Sequence, residues 1–146
     1  MRRVISCLAA TPYRYIVSKG PLHEDIELAP NMTGAEFLPQ TAVIPLCQLV
    51  ITHGGNNTIT ECLHYGKPMV VLPLFWDQHD NAQRMHELGL GIRLDTYRFT
   101  DTQMHSALER LLIDAALHRR LAAGAAAIQA HGGLHQAAFL IEQAAR

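Results

Sequence analysis

The 146-residue sequence predicts a doubly wound α/β fold, a parallel sheet with helices on both faces. Three observations carry that expectation. QLVIT (48–52) and MVVLPL (69–74) are continuous apolar runs, as strands buried on both faces of a parallel sheet require. Each run is followed by a stretch with helical spacing of its apolar residues. A histidine and two glycines, His53-Gly54-Gly55, stand where the first run gives way to its helix.

The remaining elements follow in order. Residues 2–10 form a helix, with Val4, Ile5 and Leu8 on one face and Pro12 stopping the run. YRYIVS (13–18) is a strand closed by Gly20-Pro21, and residues 20–34 are loop. AEFL (35–38) is a short strand, and TAVIPLC (41–47) is a short helix weakened by Pro45. After QLVIT, residues 56–65 are helical, with Gly66 and Pro68 at their end. Residues 78–88 are a helix with Ala82, Met85 and Leu88 inward, and GIRL (91–94) is a third short strand. Thr100-Asp101-Thr102-Gln103 is a capping box. It opens a helix with Met104, Ala107, Leu108, Leu111 and Leu112 on one stripe. Residues 115–130 place Leu117, Leu121, Ala125 and Ile128 together, and residues 134–145 do the same for Ala137, Leu140, Ile141 and Ala144. A doubly wound unit ordinarily starts with a strand, whereas this chain starts with a helix. The expected sheet therefore has a small edge or lacks its first strand.

Composition narrows the function classes. A single domain is expected over residues 1–146, and a chain this long buries roughly 70% of its unfolded surface. The net charge of −1 and the absence of a basic stripe argue against nucleic acid as a partner. The longest apolar run, PMVVLPLFW, falls short of the ~20 residues of a membrane span, and no signal peptide is visible. Cys7, Cys47 and Cys62 are scattered without C-x-x-C spacing, which suits a reducing cytoplasm. The nine histidines form no H-E-x-x-H, and Gly132-Gly133 separates His131 from His135, so no metal site is expected.

The stretch HGGNNTITE (53–61) carries the chemistry. It lies where a buried strand ends and a helix begins, the place where open parallel sheets bind ligands. The first N–H groups of a helix lack internal partners and, with the helix dipole, form an anion site. Gly54 and Gly55 let the backbone approach a ligand closely. His53, Asn57 and Thr58 can each donate a hydrogen bond to an anion, contributing roughly 1.5–3 kcal/mol apiece against about 0.3–1 kcal/mol for dipole alignment. Glu61, one turn on, can accept from a pair of ribose hydroxyls. The bland alternative makes His-Gly-Gly a turn, Asn57 a cap and Glu61 a solvated residue. Asp77 and Gln78 end the next strand on the same side and suit sugar hydroxyls, or Asp77 simply caps the helix 78–88. Phe37 and Gln40, in F-L-P-Q, could stack on a base and bond its edge, or Phe37 could be core.

Together, F-L-P-Q, H-G-G-N-N-T-I-T-E and G-K-P-M-V-V-L-P-L-F-W-D-Q-H-D-N-A-Q-R resemble the donor-binding half of UDP-dependent glycosyltransferases with the GT-B fold. The likeness spans about residues 13–95 and extends to plant, animal and bacterial macrolide-type enzymes. It implies a Rossmann-like C-terminal GT-B domain. It implies His53, Gly55, Asn57 and Thr58 around a diphosphate and Glu61 on the ribose. Asp77 and Gln78 would contact the sugar, with Gln associated with glucose donors. Gln40 and Phe37 would together recognise the base, Phe37 standing where the family often has Trp. The implied reaction is inverting, metal-independent transfer of glucose or a similar hexose from a UDP-sugar to an acceptor hydroxyl, without a cofactor. The acceptor and the catalytic base belong to an N-terminal half that this chain has no room for. The chain alone is expected to be inactive. A nucleotide-sugar binding module without turnover, or a nucleotide-sugar epimerase, are the other readings.

Overall fold

A computed structural model describes residues 1–145. Helix α1 (Arg2–Ala9) is followed by strands β1 (Tyr15–Ser18) and β2 (Met32–Ala35), then by the short helix α2 (Gln40–Val43). Strand β3 (Val50–Thr52), helix α3 (Asn56–His64), strand β4 (Met69–Val71), helix α4 (Asp77–Glu87) and strand β5 (Gly91–Arg93) alternate. Helices α5 (Asp101–Ile113), α6 (Ala115–Ala130) and α7 (Gly133–Ala144) complete the described chain. Every strand pair is parallel.

The strands do not form one continuous sheet. β1 pairs with β2, and β3-β4-β5 form a separate sheet with β4 central. β4 is the most protected element: Met69, Val70 and Val71 are fully buried. A strand sends alternate side chains to opposite faces, so β4 serves two cores. Val70 and Leu72 join Cys7 and Leu8 of α1, Met104, Leu108 and Leu111 of α5, and Leu117 and Leu121 of α6. Met69 and Val71 join Ile59 and Cys62 of α3 with Ala82 and Met85 of α4. Each such side chain contributes roughly 1.5–3 kcal/mol on burial, so β4 is the anchor of both layers.

Several expected boundaries shift, each for a local reason. The second strand is Met32–Ala35 rather than 35–38. Gly34 sits so close to β1 that a Cβ there would lie 2.1 Å from the Val17 carbonyl oxygen, so the pairing centres on the glycine. Phe37 lies beyond the strand, and Pro39 opens the helix that follows. The segment 41–47 divides into α2 and a 3₁₀ turn, Ile44–Leu46, because Pro45 fits the start of a new turn and not a helix interior. β4 stops at Val71 rather than at residue 74, although the Leu72 amide still donates to the Thr52 carbonyl. Asp77 does not cap α4: it is the first helical residue, and Trp76 precedes it as the cap. The capping box forms in both directions, with Gln103 N–H donating to Thr100 Oγ1 and Thr100 N–H donating to Gln103 Oε1.

The C-terminal helices match in extent but differ in burial. Leu117, Leu121 and Ala125 of α6 are buried, while Ile128 is exposed. The stripe expected on α7 finds no covering element among the described residues, and Leu140 and Ile141 face solvent. Leu88 is likewise exposed, since α4 has already ended at Glu87.

Replacing Leu108, which is 2% exposed, with alanine should lower the unfolding free energy by about 2–5 kcal/mol in denaturant titration. A second test concerns pH. The Leu117 N–H donates to Asp114 Oδ1 at 2.8 Å and holds that carboxyl below its ordinary pKa of 3.8. Its stabilisation is present above the unfolded-state pKa and is lost as pH falls through the lower folded-state value. The difference in melting temperature between the native chain and Asp114→Ala should therefore shrink as the pH is taken from neutrality to below about 3.

Candidate functional site

The crevice is built at the carboxyl ends of β3 and β4. Thr52 is buried at the end of β3, and its Oγ1 accepts from the Gly54 N–H at 3.2 Å. Gly54 then turns the chain at φ 89°, a conformation that L side chains rarely adopt. It also packs tightly, since a Cβ there would lie 2.7 Å from Val71 Cγ1 and 3.3 Å from the Gln78 carbonyl oxygen. The turn is thus pressed between β4 and the first turn of α4.

Gly55, not an asparagine, occupies the N-cap of α3, and no side chain caps the helix. The first internal bond runs from Ile59 N–H to the Gly55 carbonyl. The amides of Asn56, Asn57 and Thr58 therefore donate to no described residue. The alternative in which Asn57 caps the helix does not hold. The exposed His53 ring lies over the same end, with Nε2 2.7 Å from where a Gly55 Cβ would sit. A helix start with free amides, a glycine at its mouth and an imidazole beside it can receive an anion.

Three distant segments converge here. Gln40, at the start of α2, donates from Nε2 to Thr58 Oγ1 at 2.9 Å and to Glu61 Oε2. Both of its amide hydrogens are thereby engaged, leaving its Oε1 as an acceptor. Thr58 Oγ1 accepts from Gln40 and retains its own proton to donate. Phe37, three residues earlier, is 67% exposed, so it is not a core residue. The alternative that assigned it to the core does not hold.

On the other side, Asn81 Nδ2 donates to the Gly54 carbonyl at 2.9 Å and to Asp77 Oδ2 at 3.2 Å. Asn81 thus ties α4 to the His-Gly-Gly turn. Gln78 is 5% exposed, and its Oε1 accepts from the amides of Leu74 and Phe75 at 2.9 and 3.3 Å. Its carbonyl shapes the loop, and its Nε2 makes no hydrogen bond to a described residue. Asp77 is exposed at the crevice.

Two contributions go beyond a reading of the sequence. Asn81 belongs to the Asp77-Gln78 stretch by sequence, but its action as a brace is shown only by its bonds. Trp76 holds φ 52°, the only positive φ among the described non-glycine residues. Its ring is 84% exposed and meets Phe75 edge to face at 5.2 Å. Such a conformation costs of order 1–3 kcal/mol and collects at functional sites. No sequence signal marks it.

Two clefts lie elsewhere. One of ≈ 440 Å³ includes Cys47, Lys67, Pro68 and His118 in its lining, at the amino ends of β3 and β4. That is the end at which open sheets do not ordinarily bind ligands. No group of three or more His, Cys, Asp or Glu residues among those described could hold a metal ion. No described helix is long and apolar enough to cross a membrane.

Solved glycosyltransferases of the GT-B class superpose on this parallel α/β unit. A glycotransferase of kitacinnamycin matches with a TM-score of 0.86 and 34% identity, covering 97% of this chain and 38% of its own. The calicheamicin glycosyltransferase CalG4 matches with a TM-score of 0.81 and 28% identity, covering 95% and 37%. The family model for UDP-glucoronosyl and UDP-glucosyl transferases matches residues 5–129, and the chain belongs to that family. Mouse UDP-glucuronosyltransferase 3A2 is 42% identical over 79 residues, 51% of this chain and 15% of the relative. Human UDP-glucuronosyltransferase 2B28 is 40% identical over 81 residues, 54% and 15%. The chain thus spans about 15% of the length of these relatives.

Gln78→Ala should expose the loop's dependence on that buried carbonyl. Leaving the Leu74 and Phe75 amides without an acceptor should lower stability by about 1–3 kcal/mol, read by thermal denaturation, whereas Gln78→Glu, which keeps an acceptor oxygen there, should lose less.

Proposed function

We propose that this chain is the donor-binding half of a glycosyltransferase that moves a hexose from a UDP-sugar to an acceptor hydroxyl. The observation that carries the reading is the joining of Gln40, Thr58 and Glu61 beside the uncapped start of α3. Residues assigned to base, phosphate and ribose thereby lie in one connected row.

In this reading the diphosphate rests on the free amides of α3, on the side chains of Asn57 and Thr58, and on His53, with Gly55 leaving room for it. The unshared oxygen of Glu61 accepts from the ribose hydroxyls. Phe37 stacks on the uracil, and the Gln40 carbonyl accepts from its ring N–H. Asp77 accepts from hexose hydroxyls, and Gln78 donates to one from Nε2.

Transfer is a single displacement. A base outside these 146 residues takes the acceptor hydroxyl's proton. The acceptor oxygen attacks the anomeric carbon from the face opposite the diphosphate. The carbon–oxygen bond to the diphosphate breaks, its electrons go to the departing UDP, and the configuration inverts. Negative charge grows on the leaving group, so preformed donors stabilise the transition state more than the ground state. Those donors replace a divalent cation, and the reaction is metal-independent. Asn81 keeps the sugar-facing Asp77 in register with the phosphate-facing turn.

Calorimetric titration of UDP into the chain tests the assignment. Asn57→Ala combined with Thr58→Ala should weaken binding by roughly 2–4 kcal/mol. An affinity that does not change would remove the proposed phosphate site. Added EDTA should leave the native affinity unaltered, and a loss would show that a cation takes part. Transfer should appear only when an acceptor-binding domain of a related enzyme is supplied. Should UDP bind with full affinity and transfer still fail with such a domain, the chain is a binding module.

A further inference from the structure

The amino ends of β3 and β4 hold a cleft that the crevice does not use. Gly66, at φ 64°, carries the chain out of α3 toward β4. A Cβ there would lie 3.1 Å from the Leu121 carbonyl oxygen, so this turn is pressed against α6. The Val50 amide donates to the Pro68 carbonyl at 3.0 Å, which holds the starts of the two strands side by side. The cleft of ≈ 440 Å³ draws its lining from the turn around Leu46, from Gly66 and Lys67, and from the junction of α5 and α6.

Its charged chemistry is basic. Lys67 Nζ donates to the Pro45 carbonyl at 2.7 Å. An ammonium carries three donors, so two remain. His118 Nε2 meets the Leu112 carbonyl at 3.3 Å. A carbonyl only accepts, so Nε2 holds the proton and Nδ1 is left to other partners. The backbone amide of the exposed Gln48 donates to no described residue. No aspartate or glutamate lines the cleft. Asp114, whose backbone carbonyl accepts from the His118 amide, turns its carboxylate to the Leu117 amide at 2.8 Å. A divalent cation would find no carboxylate here, whereas an anion finds an ammonium fixed in place and an amide without a partner.

The walls are apolar. Leu46 stands on one side and is 80% exposed. Leu112 stands in the lining from α5, and its neighbour Ile113 is also 80% exposed. Single exposed apolar residues are ordinary. Here they border a basic floor, and the combination is amphipathic.

We propose that this cleft binds a small amphiphilic carboxylate, one anionic head on a short apolar body. Lys67 supplies one full positive charge, which a single carboxylate balances and a phosphate group exceeds. The two carboxylate oxygens accept from the Lys67 ammonium and the Gln48 amide, and the body lies between Leu46 and Leu112. The volume stands toward the lower end of the roughly 300–1,000 Å³ of ligand pockets, so the body is short. β3 and β4 separate this cleft from the His53 turn, so its occupant leaves the crevice free. The inference stands on the cleft alone and does not depend on sugar transfer.

Amide NMR on the full chain, titrated with sodium octanoate, tests this. The amides of Gln48, Lys67 and His118 should shift together and saturate, and those of Asn57 and Thr58 should hardly move. Octanol keeps the body without the charge, and acetate keeps the head without the body. Each should bind about tenfold more weakly or worse. Lys67→Met keeps most of the stem, removes the ammonium and should weaken octanoate about tenfold or more. Leu46→Asp places a negative charge on an exposed wall without touching any hydrogen bond of the cleft, and it should weaken octanoate with the melting temperature unchanged. That variant decides the matter if Lys67→Met unfolds. The proposal is overturned if the three amides do not saturate, or if octanol binds as well as octanoate. It is overturned equally if Leu46→Asp binds normally, or if the shifts gather on the exposed stripe of α7, which would mark adventitious apolar binding only.

Discussion

The close approach at Gly54 sets the terms for the whole crevice. The chain leaves β3 at Thr52 and must turn at once, with Val71 of β4 and the first turn of α4 against it. A side chain would need a left-handed backbone and would still meet Val71 at 2.7 Å. Glycine resolves both demands. The consequence is a helix start delivered directly above the sheet edge, with Gly55 as its cap and its leading amides turned outward. A longer turn with an Asn or Ser cap would have closed those amides with a side chain of its own.

The second layer of the site serves two ends with the same residues. Gln78 is buried, yet it lies one residue from the exposed Asp77. Its side-chain carbonyl fixes the loop that carries Trp76, and its amide nitrogen donates to no described residue. Asn81 holds the Gly54 carbonyl and the Asp77 carboxylate at once. Stability of the loop and placement of the polar groups are therefore one property. Removing either amide loosens the fold locally before it removes any contact to a ligand, and binding data on these positions need stability data beside them.

How much of this was legible in the sequence depends on the range of the interaction. The alternation of strand and helix was legible because burial on both faces writes continuous apolar runs such as residues 69–72, and amphipathic helices write their own period. The cap at Thr100 was legible because both partners lie within one turn. The joining of Gln40 to Thr58 and Glu61 could be expected only through the family likeness, since local spacing says nothing about residues 18 and 21 positions apart. Gly34, rather than the Ala-Glu-Phe-Leu that follows, was the centre of β2, because close backbone approach favours the residue that strand propensity disfavours. The positive φ of Trp76 leaves no trace in composition or period.

The sheet and the last helix pose the same physical problem from two directions. α7 carries the apolar stripe that its sequence promises, with Leu140 and Ile141, yet no described element covers it. The inner edges of β1 and β3 carry unpaired amides and no gatekeeping charge. In a domain shaped for solitude, selection against edge pairing and exposed apolar stripes would have placed lysine, glutamate or proline at such positions. Neither surface carries such a residue at its centre. The two differ in what covers them. A helix stripe accepts any apolar surface of suitable shape, because burial of apolar area is non-directional. A strand edge accepts only another backbone in register, because its donors and acceptors are spaced by the pleat. A strand edge therefore constrains the backbone that pairs with it, whereas a helix stripe constrains only polarity.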